Sequence, residues 1–162
     1  SAASDVYKRQ ANYNPTFFGC DGLDGLLSIK NFDTSLCEGV MLLTPFAADA
    51  QDQATQDFVK KYKDAYKGET PNQFAADAYD GVMVLAELMK KEGITADMSA
   101  SDICDKLKKA ITDKDFSYDG LTGTGMKWGE DGAVSKDPKA VIIKNGAYSA
   151  LTADDIAAST AQ

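Results

Sequence analysis

Histidine is absent from the 162-residue sequence, and cysteine occurs only three times. Without histidine the chain cannot form a serine-protease triad, a papain-type Cys/His pair or a histidine-ligated zinc site. Cys20, Cys37 and Cys104 are widely spaced and form no C-x-x-C motif, which argues against a thiolate metal cluster. One disulfide plus a free thiol fits their odd number, and so do three buried reduced thiols. We expect the second arrangement, in which the thiols pack as small apolar side chains.

The sequence also lacks an excess of basic charge and any long apolar run. Its 25 acidic and 17 basic side chains give a formal net charge of −8, so no nucleic-acid partner is expected. No apolar run approaches the roughly 20 residues that span a bilayer. Residues 1–10 have no apolar core of a secretory signal, and we therefore expect the signal not to be part of this chain. No motif calls for a metal ion or an organic cofactor, and none is expected.

Hydrophobic residues make up 44% of the sequence, which is enough to form an ordinary globular core. Short apolar runs at Thr16–Cys20 and Glu38–Pro45 predict strands, and the second is typical of a buried strand in a parallel sheet. Helical spacing predicts three helices. They run from Asp49, as N-cap, to Lys67–Gly68, from Asn72 to Glu92, and from Ser99, with Asp102 in a capping-box-like pair, through Ile111.

The apolar residues of the second predicted helix fall on one face, while charged residues occupy the rest. The apolar set is Ala75, Ala78, Tyr79, Val82, Leu85, Ala86 and Met89, and the charged set is Asp77, Asp80, Glu87 and Lys91. After Tyr118 the pattern changes to strands at Gly125–Trp128 and Ala140–Lys144. Asn145-Gly146 predicts a tight hairpin, and residues 151–162 are predicted to form a frayed, flexible tail.

Two further groups of residues have functional and structural interpretations. The glycine-rich segment at residues 120–125 lacks the Lys-Ser/Thr of a phosphate loop and does not open a helix, so it is interpreted as a turn entering a hairpin. Acidic residues cluster in two places without EF-hand spacing and are interpreted as solvated turns, with a calcium site as the weaker alternative. These residues are Asp21, Asp24 and Asp33, and Glu130, Asp131 and Asp137.

Asp21 follows a predicted strand and has Gly19 and Gly22 nearby. In open α/β sheets, ligands bind at the carboxyl ends of the strands. A carboxylate there can bind an ammonium group through a charge-assisted hydrogen bond. Considered alone, the same position also suits a turn or cap residue.

Four segments, at residues 16–22, 38–46, 58–80 and 120–148, occur in an order and at spacings that resemble a known family. They read TFFGCDG, EGVMLLTPF, FVKKYK…PNQFAADAYD and GLTGTGMKW…VIIKNGAY. The set resembles the C-terminal part of type I periplasmic binding proteins, in the leucine/isoleucine/valine-binding class that serves ABC transporters, over residues 11–151.

The resemblance implies an α/β fold that forms part of a two-lobed, Rossmann-like clamshell. Three helices, a parallel-type strand and a C-terminal β-hairpin region are expected, with a hinge crossing near residues 40–46. A whole member is about twice as long, so the chain is expected to be a fragment lacking the first half. Residues 1–10 are expected to be a non-native or disordered leader, and residues 152–162 a flexible tail.

The same resemblance implies the extracytoplasmic solute-binding component of an ABC importer, and not an enzyme. Asp21 would pair with the α-ammonium group of an amino acid or related amine, and Phe74 would line the side-chain pocket. The implied partner is an ABC permease, and the implied location is the periplasm or, with a lipid anchor, the outer face of the membrane. The alternative is a ligand-sensing domain of a bilobed receptor or regulator. Exposed strand edges and apolar surface predict self-association of the fragment.

Overall fold

A computed structural model describes Gln10 and residues 15–160, apart from the side chain of Thr160. Predictions for residues 1–9 and 11–14 therefore lie outside the described residues. The fold is mixed α/β, as predicted. The chain forms two compact units, Ser1–Leu42 with Ala140–Gln162 and Leu43–Lys139, here called the first and second unit.

Most of a four-stranded sheet in the order β1-β2-β5-β6 belongs to the first unit. The strands are β1 (Phe18–Gly19), β2 (Met41–Thr44), β5 (Lys139–Lys144) and β6 (Ala147–Ala150). β1 pairs with β2 in parallel, and β5 pairs with β6 in an antiparallel hairpin. The chain leaves the first unit within β2 and returns to it within β5. The predicted hinge crossing near residues 40–46 remains a prediction.

The hairpin between β5 and β6 turns at Asn145-Gly146, as the sequence predicts. Both residues have positive φ, 52° and 73°, which is the conformation that a tight hairpin turn requires. The apolar side chains of β2 and β5 fill the interior of the first unit. The buried ones are Met41, Leu42, Val141, Ile142 and Ile143, and Cys37, at the end of the 3-10 turn Thr34–Cys37, is also buried.

Residues beyond the hairpin differ from the predicted frayed tail, because Ala153–Thr160 forms a helix, here α4. Thr152 and Asp155 cap its first turn reciprocally. The Thr152 amide donates to the Asp155 carboxylate at 3.0 Å, and the Asp155 amide donates to Thr152 Oγ1 at 3.3 Å. Lys144 of β5 forms an ion pair with Asp155. The Thr152–Asp155 spacing is the sequence signal for this helix start.

The second unit contains three helices and the two-stranded antiparallel hairpin of β3 and β4. The elements are α1 (Gln53–Ala65), α2 (Gln73–Lys91), α3 (Ala100–Ile111), β3 (Lys127–Trp128) and β4 (Val134–Ser135). Ser99 caps α3 as predicted, and Asn72, the predicted start of α2, is the N-cap of that helix. The predicted start of α1 at Asp49 is wrong, because Asp52 is the N-cap and accepts a 2.9 Å hydrogen bond from the Thr55 amide.

Two apolar clusters form the interior of the second unit. One joins Phe46, Val59, Ala76 and Leu121, and the other joins Val84, Leu88, Ala110 and Phe116. α2 therefore buries a stripe made of Gln73, Ala76, Asp80, Val84 and Leu88. The apolar face identified from the sequence lies on the other side of this helix. Its members Tyr79, Val82, Leu85 and Met89 are 40–66% exposed.

The cysteines match their predicted state only in part. All three are free thiols, but Cys37 alone is buried, whereas Cys20 and Cys104 are exposed. Burial raises the pKa of the Cys37 thiol, and the nearby Asp33 carboxylate raises it further. The prediction of three buried thiols is therefore wrong for Cys20 and Cys104.

Candidate functional site

Asp21 begins a short 3-10 turn, Asp21–Leu23, directly after β1 and Cys20. Its side chain is exposed, and its Oδ1 accepts a 3.1 Å hydrogen bond from the Gly22 amide. A Cβ at Gly19 would lie 2.2 Å from the Leu23 side chain, so a larger residue there would force Leu23 to move. The segment at residues 17–22 thus turns directly after β1 and leaves the Asp21 carboxylate just beyond the strand end.

The loop that follows Asp21 is anchored to the hairpin of the same unit. Gly25 has a positive φ of 88°, and its amide lies within 2.8 Å of Asp24 Oδ1 and 3.2 Å of the Tyr148 hydroxyl. Burial raises the pKa of Tyr148, and the Asp24 carboxylate adds to this effect. A protonated Tyr148 therefore holds the loop that carries Asp21 at neutral pH.

Phe74 is the second residue of α2, and its side chain is 51% exposed. Asn72 Oδ1 accepts from the Ala75 amide at 3.1 Å and so fixes the start of the helix. The neighbouring Gln73 is fully buried, with its Oε1 at 3.1 Å from Thr44 Oγ1 at the end of β2. These polar contacts hold the turn that presents Phe74.

Asp21 lies in the first unit and Phe74 in the second. The roles of both residues in ligand binding remain predictions. The first unit has a cavity of about 380 Å³ lined by residues that include Phe17, Leu36, Met41 and Ile142. The second has a groove of about 1310 Å³ between α1 and α2. Neither Asp21 nor Phe74 lines either one.

Asp80 is at the centre of a buried polar cluster. The sequence pattern does not predict this burial, because it places Asp80 on the charged surface of α2. Asp80 is 4% exposed. Its carboxylate accepts from the Leu121 amide at 2.9 Å, and from the Thr122 amide and hydroxyl at 2.8 Å each. A Cβ at Gly120 would lie 2.5 Å from this carboxylate. The available signal was the 3–4 residue spacing of Gln73, Ala76 and Asp80.

This cluster explains the glycine-rich segment at residues 120–125. The Gly120 amide donates to the Gly123 carbonyl at 2.8 Å, and the Tyr118 and Met126 backbones pair at the mouth of the turn. Lys136 reaches Thr122 Oγ1 at 3.2 Å and Asp77 at 2.8 Å. The segment is a turn entering the β3–β4 hairpin, as predicted, and Asp80 binds the amides that a phosphate loop would present to its ligand.

Two of the described side chains are suited to binding a small molecule. Asp21 offers an exposed carboxylate, and Phe74 an exposed aromatic ring. Within residues 15–160 and Gln10, no group of His, Cys, Asp or Glu side chains is arranged to hold a metal ion. No helix in that part of the chain is both long and apolar enough to cross a membrane.

Residues 9–147 match the family described as periplasmic binding protein. Because the match covers most of the sequence, the chain belongs to the periplasmic binding protein family. No curated protein sequence matches it.

Solved structures of binding proteins share the fold. A leucine binding protein from Thermotoga maritima is 24% identical, with a TM-score of 0.64, and the match covers 91% of this chain and 40% of that protein. A substrate binding protein of a branched-chain amino acid transporter from Streptococcus pneumoniae, in complex with isoleucine, is 22% identical, with a TM-score of 0.67. That match covers 88% of this chain and 38% of that protein. A solute binding protein from R. palustris, in complex with benzoate, is 19% identical, with a TM-score of 0.66. That match covers 90% of this chain and 37% of that protein. The chain thus spans about two fifths of their length.

Proposed function

We propose that this chain is part of the extracytoplasmic solute-binding component of an ABC importer, and that its ligand is a branched-chain amino acid or a related amine. The observation that carries the proposal is an exposed carboxylate at the carboxyl end of β1, in a chain that belongs to the periplasmic binding protein family. The leucine and isoleucine named for two of the similar structures support an amino-acid ligand. The benzoate of a third makes the ligand class a matter for measurement.

Asp21 supplies the charge that distinguishes an amino acid from a neutral or anionic solute. A ligand ammonium group placed at its carboxylate gains a charge-assisted hydrogen bond, which strengthens as closure removes water. The Gly22 amide and the anchored loop hold the carboxylate in place before the ligand arrives. This preorganisation lowers the entropic cost of binding.

Phe74 supplies apolar surface for the ligand side chain. Its ring is half exposed at the start of a helix that is fixed by Asn72 and Gln73, so little of its surface must be freed from other contacts. Ligand contacts from two lobes favour the closed member of a hinge equilibrium, and the closed form then docks on a membrane permease. No bond is made or broken in this mechanism.

The test is calorimetry on the protein that carries this chain together with the rest of the family fold. Leucine, isoleucine and valine should bind. Asp21→Asn should weaken that binding about 100-fold or more, because breaking a buried charge pair costs about 3–5 kcal/mol. Asp64→Asn, at an exposed carboxylate paired with Lys60, is the matched control and should bind normally.

Two outcomes would count against the proposal. Binding of benzoate and not of amino acids would refute the amino-acid ligand and leave the family unchanged. Unaltered leucine binding by Asp21→Asn would refute the role of Asp21.

A further inference from the structure

The loop that carries Asp21 has little buried surface of its own. It contains two short 3-10 turns, Asp21–Leu23 and Leu26–Ser28, and neither turn has a fully buried residue. Its backbone hydrogen bonds join near neighbours, such as the Asp24 amide and the Asp21 carbonyl at 2.9 Å. Short-range bonds of this kind define the turns but do not attach them to the sheet. The position of the Asp21 carboxylate therefore depends in part on contacts that reach outside the loop.

Tyr148 supplies a contact of this kind. Its hydroxyl accepts a 3.2 Å hydrogen bond from the Gly25 amide, which lies 123 positions away in the sequence. Gly25 lies between the two turns and has a positive φ of 88°, a conformation that favours glycine. The same hydroxyl forms hydrogen bonds with the Leu27 amide and with the Asp24 carboxylate. One side chain thus holds the middle of the loop at several points.

The strand that carries Tyr148 is fixed by the sheet. Tyr148 lies in β6 opposite Ile143 of β5, and the side chain of Ile143 is completely buried. On the other side of β5, the Ile143 amide donates to the Val40 carbonyl and the Gly39 amide donates to the Ile143 carbonyl, both at 2.9 Å. A tyrosine side chain has only two torsions between the backbone and its ring. The Tyr148 hydroxyl is therefore a firm attachment point for the loop.

A firm attachment matters for a carboxylate that binds a charged group. The strength of a charge-assisted hydrogen bond depends on the distance and angle between donor and acceptor. A loop that is already held before the ligand arrives also avoids the entropic cost of becoming ordered on binding. Both effects favour the ligand through Asp21, although the bonds of Tyr148 are made to residues 24–27 of the loop.

We propose that Tyr148 is a positioning residue for ammonium recognition, because its hydroxyl fixes the loop at Gly25 and so places the Asp21 carboxylate for the ligand. This positioning role depends on the proposed role of Asp21 in ligand binding. Removing the Tyr148 hydroxyl should therefore weaken binding only while the Asp21 carboxylate is present.

The experiment is a double-mutant cycle measured by calorimetry with leucine, on the same whole protein as the test of the proposed function. Tyr148→Phe removes the hydroxyl and keeps the ring. It should weaken leucine binding about threefold to tenfold, as expected for the loss of an ordinary hydrogen bond. In the Asp21→Asn background the same change should alter binding by less than about twofold. Tyr118→Phe, at a partly buried tyrosine of the second unit, is the matched control and should bind normally.

Hydrogen exchange without ligand provides a second measurement. In Tyr148→Phe, backbone amides of residues 22–28 should exchange at least about threefold faster, because the loop has lost its attachment. The amides of residues 140–144 in β5 should keep their rates. Unchanged exchange in the loop would overturn the attachment. Equal acceleration in the loop and in β5 would indicate a general loss of stability and would also overturn the positioning role.

The binding results separate this role from the proposed function. If Asp21→Asn weakens leucine binding and Tyr148→Phe does not, the proposed function stands and the positioning role is wrong. If Tyr148→Phe has the same effect with and without the Asp21 carboxylate, Tyr148 acts independently of Asp21, and the positioning role is again wrong. If Asp21→Asn leaves binding unchanged, or if leucine, isoleucine and valine do not bind, the role of Asp21 fails and that of Tyr148 fails with it.

Discussion

At the residue scale, Asp80 fastens the glycine-rich turn to α2. Its carboxylate accepts three hydrogen bonds, all from Leu121 and Thr122, and it is nearly inaccessible to water. Replacing a carboxylate oxygen of Asp80 leaves a buried amide donor without its acceptor. Each donor left unpaired in this way costs desolvation free energy. The stability of this turn therefore depends on one residue 41 positions away along the chain.

We predict that Asp80→Asn lowers the free energy of unfolding by about 2–3 kcal/mol, because an amide nitrogen cannot accept from the loop amides. Asp77→Asn is the control, since Asp77 lies on the same helix and pairs with Lys136 at the surface. It should cost less than about 1 kcal/mol. Urea unfolding followed by tryptophan fluorescence measures both, and equal losses for the two variants would contradict the role assigned to Asp80.

Single residues also set the limit of what the sequence can predict. The Asn145-Gly146 turn and the caps at Asn72 and Ser99 were predictable, because each depends on a few adjacent residues. The partners of Asp80 were not, because Leu121 and Thr122 come close only after the second unit has folded. The ligand roles of Asp21 and Phe74 belong to a third category, since they rest on resemblance and remain predictions.

At the scale of elements, the existence of α2 and α3 followed from the sequence, but the buried side of α2 did not. Apolar spacing identifies a stripe that favours burial, without identifying which neighbouring layer is available to bury it. In this structure α3 and Phe116 pack on Val84 and Leu88 and decide the orientation of the helix. The predicted apolar stripe therefore lies exposed to solvent.

The attachment of α4 to β5 makes stability depend on pH. Hydrogen bonds lower the pKa of Asp155 from 3.8 to about 2. The hydrogen bond to Lys144 has the largest effect, and those to Thr152 come next. Because the folded pKa lies below the ordinary value, this carboxylate stabilises the fold above about pH 4. Its contribution is lost as the pH falls from about 4 through 2.

We therefore expect Asp155→Asn to lower the melting temperature at pH 6 by a few degrees and to have progressively less effect as the pH falls towards 2. Asp154→Asn, at the exposed neighbouring position in the first turn of the same helix, is the matched control. Thermal unfolding followed by circular dichroism between pH 2 and 6 compares the two variants with the parent chain. A pH-independent difference between Asp155→Asn and the parent would show that the ion pair does not contribute in this way.

At the scale of the whole molecule, a large apolar surface coexists with a formal net charge of −8. The charge keeps copies of the chain apart at neutral pH, whereas exposed apolar side chains favour their association. The isoelectric point is near 4.5, so the repulsion weakens as the pH falls towards that value. The two effects can therefore be separated by changing the pH and the surface independently.

We expect the isolated chain to associate in a concentration-dependent manner, more strongly at pH 5 than at pH 8. Val82→Asp should weaken this association at both pH values, because it places a charge at the centre of the exposed apolar side of α2, among Tyr79, Leu85 and Met89. Leu36→Asp is the control, since Leu36 is 74% exposed but lies in the first unit, and it should leave the association largely unchanged. Sedimentation equilibrium over a range of concentrations measures these effects. A chain that remains monomeric at pH 5 and melts cooperatively would show that this side of α2 does not drive self-association. Equal effects of Val82→Asp and Leu36→Asp would attribute any change to net charge alone.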